Sequence, residues 1–120
     1  MLTIYTYAKC STCRDAVKWL QAHKLAFDER PIRETPPSLS ELRQMLATYD
    51  GQLRKLFNSS GLVYRAQKLS ERLPAMTEKA ALELLTLNGS LVKRPFVISK
   101  NAAIVGFDPE TWSERLIGKE

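Results

Sequence analysis

Tyr7-Ala8-Lys9-Cys10-Ser11-Thr12-Cys13-Arg14 decides how this chain is read. It follows the apolar run Leu2-Thr3-Ile4-Tyr5 and leads into an amphipathic stretch whose spacing predicts a helix from near Thr12. A strand, a Cys-x-x-Cys pair and a helix, in that order, build a thiol redox site on an α/β scaffold. Cys13, Val17 and Leu20 fall at i, i+4 and i+7, so one helix face is expected to hold Cys13 against the core. Cys10, just before the first turn, is left open. The unpaired N–H groups and the dipole of that turn favour an anion at Cys10, and Lys9 and Arg14 add positive charge beside it. Cys10 is therefore the candidate nucleophile and Cys13 the candidate resolving thiol.

Two other uses of the same residues are open. The pair could be small buried hydrophobes, or half of a tetrahedral zinc site. Zinc needs two further ligands, and the sole histidine, His23, lies about three turns along the same helix. In the last turn of that helix His23 reads as a structural residue. No metal and no bound cofactor are expected.

At 120 residues the chain is read as one domain, 1–120, long enough to bury about two-thirds of its unfolded surface. Its 44% apolar and 26% charged residues match a soluble globular protein. No apolar run approaches the ~20 residues of a membrane helix. Met1 leads straight into the first strand without a secretory leader, so a cytoplasmic location is expected. A disulfide there is catalytic or sensory rather than structural. The net charge of +5 suits an anionic substrate or an acidic partner surface.

Beyond the first helix, Ala26-Phe27 predicts a second strand, parallel to the first, which Pro31 places at an edge or ends. Thr35-Pro36-Pro37 is the sharpest punctuation in the chain. Ser38-Leu39-Ser40-Glu41 behind it has capping-box form and starts a helix with Leu39, Leu42, Met45, Leu46 and Tyr49 on one side, closed by Asp50-Gly51. Leu53, Leu56 and Phe57 predict a short helical piece. A further helix is predicted over 64–73, broken by Pro74. Thr77-Glu78 caps an apolar helix that ends at Asn88-Gly89. Residues 38–88 thus read as a helical block without strand signal. Phe96-Val97-Ile98 and Ala102-Ala103-Ile104-Val105 form a predicted hairpin. Asp108-Pro109 then starts a last helix carrying Trp112 and Leu116. The order βαβ, helical block, ββα is that of a thioredoxin-like α/β fold with a helical insertion.

Four segments together resemble the arsenate reductase (ArsC)/Spx family: Cys10-Ser11-Thr12-Cys13-Arg14, Lys55-Leu56-Phe57-Asn58-Ser59-Ser60-Gly61, Val92-Lys93-Arg94-Pro95 and Ile104-Val105-Gly106-Phe107. The resemblance spans nearly the whole chain. It implies that Cys10 is the reactive cysteine, that Pro95 is cis, and that Arg94 holds an oxyanion or other anionic substrate group near the thiolate. Arginine suits that task through its bidentate fork and permanent charge. Lys9, Arg14, Asn58 and Pro95 complete the expected substrate-binding set.

Two departures separate this chain from arsenate reductases of the family. They carry further arginines where this chain has Asn58 and Phe107, and they generally lack a second cysteine at the position of Cys13. Fewer fixed charges mean weaker stabilisation of bound arsenate. The Spx and MgsR-like branch keeps the Cys-x-x-Cys and is the nearer resemblance. It implies a redox-sensing regulator that binds the C-terminal domain of the RNA polymerase α subunit. Two functions are therefore expected: a thiol–disulfide oxidoreductase working with glutathione, glutaredoxin or thioredoxin, or such a regulator. The basic residues Lys55, Arg65, Lys68 and Arg72 lack the aromatic interleaving of a single-strand-binding surface, so no direct nucleic-acid contact is expected. A monomer is expected.

Overall fold

The computed structural model describes residues 1–117. The chain runs β1 (Leu2–Thr6), α1 (Ser11–Ala22), β2 (Phe27–Pro31), α2 (Leu39–Thr48), a 3-10 turn (Leu53–Leu56), α3 (Leu62–Ala66), α4 (Leu69–Arg72) and α5 (Glu78–Leu87). A second 3-10 turn (Leu73–Ala75) lies between α4 and α5, and a third (Gly89–Leu91), β3 (Phe96–Ile98), β4 (Ala103–Val105) and α6 (Pro109–Trp112) follow α5. The sheet has the order β2-β1-β3-β4. β1 and β2 are parallel, as a helical crossover requires, and β3 is antiparallel to both β1 and β4. This is the thioredoxin-like α/β arrangement that the element order predicted.

Strand periodicity sorts the core into two layers. Ile4, Val97 and Ile104 lie side by side across three strands and pack against Ala16 and Leu20 of α1 and Trp112 of α6. Their neighbours Tyr5, Phe96, Ile98 and Ala103 face the other way, onto Leu42, Met45, Leu82 and Leu85 of the helical block. β2 pairs with β1 alone, is exposed from Asp28 onward and ends on Pro31. Proline is tolerated there because an edge strand has an unpaired side.

Ser38 caps α2 as expected: its hydroxyl accepts from the Glu41 N–H at 3.2 Å, while the Glu41 carboxylate accepts from the Ser38 N–H at 3.0 Å. The same carboxylate oxygen accepts the Tyr5 hydroxyl at 2.7 Å, so β1 and the first turn of α2 share one anchor. Burial, reinforced by that hydrogen bond and the Glu41 charge, pushes the Tyr5 phenol up to about 12 from its usual 10.0. A raised pKa means that the neutral phenol is the form the fold favours. Its stabilisation is complete below pH 10 and is lost as pH climbs toward 12. An ultraviolet titration should show one tyrosine ionising near pH 12, and Tyr5→Phe should remove that step. A Tyr5→Phe titration that superimposes on the wild type would show that the shift belongs to another ring.

Four expectations need correction. The single helix over 64–73 is two, because Lys68 sits at φ 52, in the left-handed region that ends a helix. The break has a packing cause. Tyr64 and Leu69 are both buried, yet a continuous helix would turn a five-residue step about 140° away. The buried stripe of α1 is Cys13, Ala16 and Leu20, with Val17 only partly covered. An isolated antiparallel bridge also ties Phe57 of the helical block to Val92 beyond it, flanked by Asn58 N–H to Leu91 O at 2.7 Å and Lys93 N–H to Leu56 O at 2.9 Å. A two-residue bridge leaves no periodic trace in a sequence. Asp108 does precede α6, but its carboxylate accepts the Thr111 hydroxyl at 2.6 Å instead of a backbone N–H, and after Trp112 the chain widens into a π-turn, Ser113–Ile117.

Candidate functional site

β1 delivers the chain to the redox loop at the edge of the two core layers. The Cys10 N–H donates to Tyr7 O at 3.0 Å, closing a tight turn over Tyr7, Ala8, Lys9 and Cys10. Arg14, one turn into α1, reaches back and donates to Ala8 O at 2.9 Å. Cys10 is the N-cap of α1, with extended backbone at φ −99 and ψ 112. Its Sγ takes the place of a serine hydroxyl, accepting the Cys13 N–H at 3.2 Å. Sulfur of a partly exposed cysteine thus sits on the open N–H groups of a helix start.

Cys13 is the opposite case. It is 1% exposed, and burial, with the hydrogen bond and charge of Cys10 added, pushes its thiol up to about 12 from 9.0. The Tyr7 backbone and the Arg94 charge pull the other way without reversing the shift. Both cysteines are free. One is open and one is sealed one helical turn behind it, the arrangement in which the first reacts with an outside partner and the second with the first.

Arg94 lies just before β3, at a cis Arg94–Pro95 peptide, with Pro95 buried behind it. It is half-buried; its guanidinium stands 5.1 Å from the centroid of the Tyr7 ring and donates to Ser90 O at 3.3 Å. A cavity of about 480 Å³ opens beside the redox loop, with Tyr7, Asn58, Ser60, Ser90 and Arg94 in its walls. Asn58 and Arg94, both expected to bind substrate, are thus brought to one place. Lys9 and Arg14 are not among its lining residues. Arg14 lines a separate hollow of about 270 Å³ with Cys13, and Lys9 is exposed on the loop. Phe107 packs edge-to-face on Trp112 at 4.8 Å, contributing apolar packing in the α1–α6 layer.

The model of the ArsC family matches residues 5–115. The chain belongs to the ArsC family. Among its relatives, YusI of Bacillus subtilis is 42% identical over 113 residues, covering 94% of this chain and 96% of YusI. The global transcriptional regulator Spx of Enterococcus faecalis is 34% identical, covering 92% of this chain and 82% of that protein. An ArsC-family-related protein from Bacteroides fragilis, of known structure, is 40% identical with a TM-score of 0.86 over 94% of this chain and 97% of that one. As an ArsC-family protein with its two cysteines adjoining across one turn, the chain carries a Cys-x-x-Cys pair consistent with redox activity. Among the described residues no three His, Cys, Asp or Glu side chains are grouped to hold a metal, and no helix is long and apolar enough to cross a membrane.

Two residues of the site carry no signal in the sequence. Tyr7 heads the redox stretch with nothing to mark a role for its ring, and Arg33 is one charge among many in a polar connection. Arg33 nonetheless places its guanidinium 5.0 Å from the Tyr7 ring centroid and donates to the Tyr7 hydroxyl at 2.9 Å. The contact spans 26 positions, which no local pattern encodes.

Proposed function

We propose that this ArsC-family protein is a thiol–disulfide oxidoreductase with Cys10 as nucleophile, Cys13 as resolving thiol and Arg94 as the seat of an anionic group on the substrate. The observation that carries this reading is the Cys13 N–H bonded to Cys10 Sγ at the mouth of α1, with Cys13 itself buried behind. In the first step the Cys10 thiolate attacks one sulfur of a substrate disulfide, forming a mixed disulfide and releasing the other sulfur as a thiolate. Cys13, deprotonated, then attacks Cys10 Sγ, forming the Cys10–Cys13 disulfide and releasing the second thiol. The substrate gains two electrons and the protein loses two, to be restored by glutathione, glutaredoxin or thioredoxin. A glutathione adduct fits the basic chain and Arg94; arsenate fits less well, since Asn58 and Phe107 stand where arsenate reductases of the family have arginine.

The test is a single turnover. Fully reduced protein mixed with glutathione disulfide should yield two glutathione per chain and a Cys10–Cys13 disulfide, both read by mass spectrometry. Thiol release without a Cys10–Cys13 bond, or no reaction, rejects the reading.

The similarity to Spx favours a second one: a redox-sensing regulator docking on the C-terminal domain of the RNA polymerase α subunit. Its mark would be polymerase captured from lysate in one redox state of the Cys pair only, by a protein with no disulfide turnover.

A further inference from the structure

Where the chain is extended, successive side chains face opposite ways, and the Phe57–Val92 bridge puts that alternation to use. Asn58 and Arg94 line the cavity beside the redox loop. Their chain neighbours Phe57 and Lys93 line a different one, of about 510 Å³, to which neither cysteine and none of Tyr7, Arg33 and Arg94 contributes. This second cavity has no part in the thiol chemistry.

Its apolar wall is buried Phe57 with half-buried Tyr49 and Val105. The Tyr49 hydroxyl accepts the Val105 N–H at 3.2 Å, which ties the ring to β4. Three cations stand around that wall: Arg54 and Lys55 from the 3-10 turn after α2, and Lys93 from beyond Val92. Lys55 Nζ lies 5.8 Å from the Tyr49 ring centroid. Lys93 runs beside Gly106, where an added Cβ would meet Lys93 Cε at 3.3 Å. No acidic residue lines the cavity, and among the described residues the one ion pair is Arg30 with Asp28.

A cleft lined by one sign of charge concentrates ions of the other. Three cations match an occupant with several negative charges on few atoms, and the aromatic wall matches a flat ring. A diphosphate offers acceptors to a guanidinium fork and to two point-like ammonium groups at once. We propose that this cavity binds a nucleoside diphosphate, with the phosphates on Arg54, Lys55 and Lys93 and the base on the Tyr49–Phe57 wall. The proposal concerns binding alone and stands apart from the thiol–disulfide reading.

Calorimetry on the full, reduced chain tests it with ADP as the probe. ADP should bind. Pyrophosphate should bind about tenfold more weakly, because the stacking of a base on an aromatic side chain is lost, and adenosine should not bind. Lys55→Gln and Lys93→Gln should each weaken ADP about tenfold, the loss expected of one charge-assisted contact. Lys100→Gln removes the same charge from the β3–β4 turn and should leave affinity unchanged. In an NMR titration with ADP the Val105 amide, tied to the Tyr49 hydroxyl, should shift, while the Cys13 amide, held by Cys10 Sγ, stays in place. No binding of ADP, pyrophosphate binding as tightly as ADP, an equal loss in Lys100→Gln, or shifts centred on the redox loop would overturn the assignment. A single-stranded DNA oligonucleotide that displaces ADP at lower concentration, with the same dependence on Lys93, would assign the cations to a polymer and overturn it too.

Discussion

Cys10→Ser should abolish disulfide reduction altogether, by a factor of about 1,000 or more, while Cys13→Ser should stop the reaction half-way. The asymmetry follows from where the two sulfurs sit. Cys10 is partly exposed at the N-cap and Cys13 is buried, so its loss removes the thiol that an outside disulfide can reach. Cys13 is 1% exposed and its thiol is pushed up to about 12, which keeps it neutral and unreactive toward solvent at neutral pH. Cys13→Ser should therefore still release one thiol per chain and then hold the other as a stable mixed disulfide on Cys10.

The pH dependence of the second step follows with its sign. Burial is the largest contribution to the Cys13 shift, followed by the hydrogen bond from Cys10. Once Cys10 is bonded to a substrate sulfur it no longer bears a thiol proton or a negative charge, and those contributions lapse. Burial remains, and Cys13 stays above the working pH. Below its pKa the thiolate fraction grows about tenfold per pH unit, so resolution should speed up about a hundredfold between about pH 7 and 9. Rapid-quench mass spectrometry of the mixed disulfide measures it. A resolution rate that is flat across that range, or a Cys13→Ser protein that never forms the mixed disulfide, would mean that Cys13 is not the resolving thiol.

Much of this fold was legible because its signals are local. Ser38 and Glu41 announce a capping box three residues apart, and the structure draws both of its hydrogen bonds. Pro31 marks an edge strand for the same stereochemical reason that it occupies one. The Cys-x-x-Cys at a strand–helix junction gave the depth of both sulfurs, since a helix start fixes which of two residues one turn apart faces inward. The illegible parts are long-range. Val17 carries a larger apolar side chain than Ala16, yet Ala16 is the buried one, in a cluster with Ile4 and Val97 of the sheet, while Val17 only packs against that cluster. Lys68 is an ordinary helix former, and only the competing demands of Tyr64 and Leu69 for the core turn it left-handed. Arg33 is invisible for the strongest reason: its partners are a ring 26 positions away and a turn near the far end of the chain.

What brings Arg33 to that turn is Gly89, and Gly89→Ala should be the most destabilising small substitution in the chain. A Cβ built on Gly89 would lie 1.8 Å from the Ile32 carbonyl oxygen, 2.7 Å from its carbon and 3.0 Å from Arg33 Cα. All three are backbone atoms, so no side chain can swing aside. Either the 3-10 turn or the connection after β2 must move, and overpacking of this kind costs about 3 kcal/mol. For a chain of this length that is a fall in Tm of about 10 °C. Gly51→Ala is the contrast. Gly51 has φ +78 but nothing within 4 Å of a new Cβ, so only backbone strain of about 1 kcal/mol applies. The displaced atoms at Gly89 also adjoin the candidate site. Ser90 follows it and accepts from Arg94, and Ile32 leads into Arg33. Melting temperatures within two or three degrees of each other for the two variants would show that the contact between the turn and the β2 connection is loose, and with it the physical reason that two arginines so far apart in sequence share one ring.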